Sequence, residues 1–74
     1  MDITEQIVYM QVRLFRLACK RWHKNVRDCA RFFKAHDLWR LIYDLWDSFH
    51  VQGDEACIFD LEEILEKRGI QYAD

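Results

Sequence analysis

Apolar residues recur at helical spacing along nearly the whole chain, with polar residues filling the positions between. Ile3, Ile7, Val8, Met10, Val12, Leu14, Phe15, Leu17, Ala18, Cys19 and Trp22 cover more than half the circumference of a helix. That arc is wider than the stripe of an ordinary surface helix, so a first helix over residues 3–23 is expected to pack against several neighbours. Asp2 is placed to cap it, and Glu5, three residues on, completes a capping box. Gln11 falls near the centre of the apolar arc. A buried amide needs partners, which predicts a bond across helices or a place at an interface.

Asn25 is placed to cap a second helix over residues 26–35, with Val26, Cys29, Ala30 and Phe33 inward. Asp37 is placed to cap a third over residues 38–49, whose Leu38, Trp39, Leu41, Ile42, Tyr43, Leu45, Trp46 and Phe49 again make a wide arc. A turn at Val51-Gln52-Gly53 follows, where Gly53 can supply a positive φ. Asp54 then caps a fourth helix over residues 55–68, with Cys57, Ile58, Leu61, Ile64 and Leu65 inside. Gly69 stands at the left-handed position after that helix, and Ile70 is placed for the contact of a Schellman stop. Residues 71–74 are expected to fray. The pattern therefore predicts an all-α fold: a single domain, residues 1–74, built as a bundle of four helices.

Length makes this a demanding fold. A chain of 74 residues buries only about 60% of the surface its unfolded form exposes. Three Trp, three Tyr and five Phe supply large buried areas in compensation, and an oligomer interface is the other usual remedy. The apolar runs are too short and too often broken by charge to span a bilayer. The start, Asp2 and Glu5 in place of a basic and then apolar leader, argues against export. Cys19, Cys29 and Cys57 are an odd number without paired spacing, and they read as reduced thiols in a cytoplasmic protein.

Charge changes the picture more than composition does. Residues 1–40 carry nine Lys/Arg against four Asp/Glu, a balance of +5; residues 41–74 carry two against nine, a balance of −7. Such a split points to an interaction surface or to helices that attract each other within the fold. Arg13, Arg16, Lys20, Lys24, Arg27, Arg31 and Lys34 form a basic face over the first two helices, with Trp22 and Phe32 among them. Clustered cations suit phosphates and exposed rings suit bases, so this face is the candidate nucleic-acid contact. On the acidic fourth helix, Phe59 stands near Glu55, Glu62 and Glu66. An aromatic ring amid carboxylates is a candidate partner contact, although Phe59 can equally fold under the tail beside Tyr72.

Two constellations invite chemistry. Asp44, Asp47, His50 and Asp54 contain carboxylates three apart beside an imidazole, as a metal or acid–base site would. The plainer reading makes Asp44 and Asp47 a solvated helix face, His50 a C-terminal cation and Asp54 a cap. Cys19, His23, Cys29 and His36 could share a zinc ion, but they lack the tight repeated spacing such sites show. The sequence has no nucleotide-binding loop, nucleophile elbow or metalloprotease motif, so no cofactor is assigned.

The stretch Phe32-Phe33-Lys34-Ala35-His36-Asp37-Leu38-Trp39, followed by Ile42-Tyr43-Asp44, Asp47, Phe49-His50, Gln52-Gly53 and Asp60-Leu61, resembles a family of short bacterial helical domains of unknown function. The resemblance runs from about Ile7 to Ile64. It implies an all-helical, intracellular bacterial domain with no established activity. The family's Asp and His positions fall on Asp47 and His50, and they bring no active site with them. The basic first half and the three tryptophans depart from the family pattern. Together these readings favour a non-catalytic protein–protein interaction module, with homodimerisation as one form of it. A nucleic-acid-binding regulator is the alternative, and a metal or acid–base site near Asp47 and His50 the third.

Overall fold

A computed structural model describes residues 2–73. All of its regular elements are helices: α1 (Ile3–Arg21), α2 (Val26–Ala35), α3 (Leu38–Asp44), α4 (Trp46–Phe49) and α5 (Asp54–Lys67). Helix α1 is the centre, packed against α2, α3 and α5. Its Leu14 and Ala18 are fully buried, together with Phe33, Leu38, Ile42, Ile58, Leu61 and Leu65 from the surrounding helices. An aromatic chain runs through this core. Phe15 meets Phe33 edge-on at 5.1 Å and stacks on Trp39 at 5.2 Å, and Trp22 touches Tyr72 at 5.2 Å. Gln11 Nε2 donates to the Trp39 carbonyl at 2.8 Å, the cross-helix bond its position predicts.

The helix ends show where side chains and where backbone terminate each element. Asp2 Oδ1 accepts from the Glu5 N–H and Asn25 Oδ1 from the Asp28 N–H, both as expected of caps. Asp37 does not cap α3. It sits at φ 55° with no side-chain bond, because it is already the left-handed residue that closes α2, its N–H donating to the Lys34 carbonyl. Asp54 is likewise not a cap. The N-cap of α5 is Gly53, whose φ of −72° is ordinary, so the expected left-handed turn there is absent. Among the described residues, the left-handed ones are His23, Asp37 and Gly69. At Gly69 the full Schellman pair forms: Ile70 N–H to Leu65 O at 2.9 Å and Gly69 N–H to Glu66 O at 3.0 Å.

The helix expected over residues 38–49 is two helices. Leu45 (φ −94°, ψ 8°) ends α3 and begins α4, its carbonyl accepting from both Ser48 and Phe49. Eight bulky residues in this segment claim more than one face of a straight helix. After the break Phe49 is buried while Trp46 stays half-buried. The broad apolar arcs are also less completely covered than their width suggests. Ile3, Val8, Val12, Val26 and Tyr43 are exposed, and so is Ala30. The tail is not frayed through its described residues, since Tyr72 and Ala73 pack against the core; Asp74 lies outside the described residues.

Candidate functional site

The acidic helix contains the most built polar feature of the fold, and it faces inward. Glu62, expected on the partner surface, is buried. It accepts from Arg21 through two bonds, Nε to Oε2 at 3.1 Å and Nη2 to Oε1 at 3.0 Å, and from Trp22 Nε1 at 2.8 Å. The hydrogen bond to Glu62 is the chief reason the Arg21 pKa rises. The signal was present in the sequence: Glu62 is four residues after Ile58 and three before Leu65, on the inner stripe of its helix. Its partners were invisible because they lie forty positions away.

The rest of the proposed partner contact is partly occupied as well. The Arg21 guanidinium covers the Phe59 ring at 4.8 Å, and Glu66 accepts a hydrogen bond from the Tyr72 hydroxyl. That bond, ahead of burial, pushes Tyr72 up to about 12. Phe59 remains 53% exposed and Glu55 is exposed as well. Phe59 therefore lies under Arg21, with Tyr72 turned instead against Trp22.

The basic face is divided in the same way. Arg13 is paired with Asp54 at 3.1 Å, and Lys24 lies over the Phe32 ring at 5.0 Å. Trp22 is 1% exposed, and Phe32 is half-buried between Lys24, Trp22 and His36, so neither ring is open to stack on a base. Arg16, Lys20, Arg27, Arg31 and Lys34 keep exposed charges. The split between basic and acidic halves is thus used partly inside the fold, in Arg13–Asp54 and Arg21–Glu62.

The Asp/His quartet does not assemble. Asp44 pairs with Arg40 one turn back at 3.1 Å, while Asp54 is held by Arg13. His50 stacks on Trp46 at 4.9 Å and its Nδ1 donates to the Trp46 carbonyl at 2.8 Å, which fixes the ring on its own helix. An open groove of about 440 Å³ runs past His50, between Gln6, Tyr9, Met10, Arg13 and Trp46. Of the second set, Cys19 and Cys29 come together. Burial first and the neighbouring Cys19 thiol second push Cys29 up to about 12. His36 packs on Phe32 instead, at 4.5 Å. Among the described residues no three His, Cys, Asp or Glu side chains are placed to share a metal ion.

What sequence reasoning missed is the outer side of α1. Val8, Tyr9 and Val12 are 50%, 56% and 38% exposed, adjacent along one side of the helix. The 3.6-residue pattern put Val8 and Val12 on the apolar arc and left Tyr9 out of it, and it could not show that no neighbour covers them.

A family model described as a protein of unknown function, DUF3791, matches residues 10–68. The chain belongs to this family. The match takes in α2 to α5 and most of α1, the same helices that enclose the core and the Glu62 network. No curated protein and no solved structure matches the chain. Among the described residues, no helix of this DUF3791 member is long and apolar enough to cross a membrane.

Proposed function

We propose that this DUF3791 domain is a non-catalytic protein–protein interaction module of the cytoplasm. The observation that carries the reading is the uncovered apolar side of α1. Contiguous exposed apolar side chains, unlike scattered single ones, are a common mark of interaction sites. The uncovered side supports a partner surface on α1 over one on α5, where Glu62, Glu66 and Phe59 have internal contacts. A photo-crosslinking residue at position 9, expressed in the source cell, tests it. The expected result is a discrete protein adduct from position 9 that is absent when the same residue stands at position 60. Failure to form any protein adduct at position 9 overturns the reading.

A second reading rests on Arg27, Arg31 and Lys34, an exposed stripe on α2 that forms no ion pair among the described residues. Phosphate contacts there would make log K fall with log salt by about 0.9 per neutralised phosphate on duplex DNA. Titrating a duplex and a single strand at low salt, where this term is strongest, separates the two readings.

A further inference from the structure

We infer that the open side of α1 is a self-association surface, on which a second copy of the chain lies antiparallel. This rests on the interaction-module reading and names its partner. Glu5, Tyr9, Val12, Arg16 and Lys20 follow one another at steps of three and four, and Val8, three after Glu5 and four before Val12, lies beside them, so the six share one side of α1. Glu5, Arg16 and Lys20 are exposed along with the three apolar residues between them. Helices α2, α3 and α5 occupy the other sides, where Ile7, Met10, Leu14 and Ala18 are buried.

The order of charge along this side is what selects the partner. Its amino-terminal end is acidic (Asp2, Glu5), its middle apolar, and its carboxy-terminal end basic (Arg16, Lys20). Turning a second copy end for end about a two-fold axis between positions 10 and 11 sets Glu5 of each copy opposite Arg16 of the other. The same operation brings Tyr9 of each copy against Val12 of the other. One surface thereby complements itself, as a two-fold interface requires. The antiparallel arrangement also places each helix's positive end beside its neighbour's negative end. In a parallel pairing, like charges would meet at both ends. A seam of six side chains per copy is smaller than the ~800 Å² per partner of a stable interface, so the dissociation constant is expected to be on the order of 10–100 µM.

Sedimentation equilibrium from about 5 µM to about 1 mM, a range bracketing that constant, tests the pairing. The wild type is expected to pass from monomer to dimer, and Val12→Glu to stay monomeric. Glu5→Arg or Arg16→Glu alone puts like charges together twice in each dimer, for a weakening of roughly tenfold. The double variant Glu5→Arg/Arg16→Glu restores the opposite pairing and is expected to return to within about threefold of wild type on the same reasoning. These positions are exposed, and circular dichroism checks that each variant is folded. A wild type monomeric throughout the range overturns the proposal, as does a dimer indifferent to both single reversals. If the chain stays monomeric while position 9 crosslinks to a different protein, self-pairing fails and the interaction module stands; loss of both signals removes both.

Discussion

Glu62 shows how much one side chain can hold in a core this small. Its carboxylate satisfies a buried indole N–H and both donors of a guanidinium fork, and among the described residues no buried side-chain nitrogen or oxygen lacks a partner. Replacing Glu62 by Ala strands the Trp22 N–H and releases Arg21, whose side chain is 34% exposed and can recover water. The expected loss is about 2–3 kcal/mol, below that of a fully buried pair. Glu62→Gln keeps an acceptor for Trp22 and gives up the charge, so its expected loss is smaller, about 1 kcal/mol. Urea denaturation midpoints of the two variants check the order. Equal losses would show that the ion pair, and not the indole bond, dominates the site.

At the scale of elements, helix stops were legible where glycine marked them and hidden where it did not. Gly69 announces the end of α5, and its φ of 71° bears that out. The end of α1 uses the same geometry without glycine: Lys24 N–H reaches Cys19 O at 3.0 Å and His23 N–H reaches Lys20 O at 3.4 Å, with His23 at φ 55°. A left-handed residue with a Cβ costs roughly 1–2 kcal/mol, partly offset by the greater unfolded-state freedom of glycine. His23→Gly is therefore expected to stabilise by about 0.5–1 kcal/mol, or a few degrees in Tm. Gly69→Ala is expected to cost about 1 kcal/mol through backbone strain alone, since a Cβ there meets nothing within 4 Å. Thermal melts of the two variants should move in opposite directions. The break at Leu45 was unreadable for a different reason. No Pro or Gly punctuates it, and the apolar spacing of Ile42, Trp46 and Phe49 runs across Leu45 as it would in one continuous helix.

For the whole molecule, helical spacing predicted an all-α bundle and most of its core, while the destination of each charge depended on tertiary neighbours. The same neighbours set how stability responds to alkali. Cys29 is raised from 9.0 to about 12, chiefly by burial, and Tyr72 from 10.0 to about 12, chiefly by its bond to Glu66. Both groups are harder to deprotonate in the fold than in the unfolded chain. Above pH 9 the unfolded state therefore releases protons that the native state keeps, and stability falls as pH rises. The contribution of each group is whole below its unfolded pKa and is lost progressively up to about pH 12. Under reducing conditions the urea midpoint is expected to decline from about pH 9 upward. The diagnostic comparison is with Tyr72→Phe. That variant cannot deprotonate at position 72, and its decline above about pH 10 should be shallower than that of the wild type. Parallel curves for the two proteins would mean that the Tyr72–Glu66 bond does not hold the tail to the core in solution.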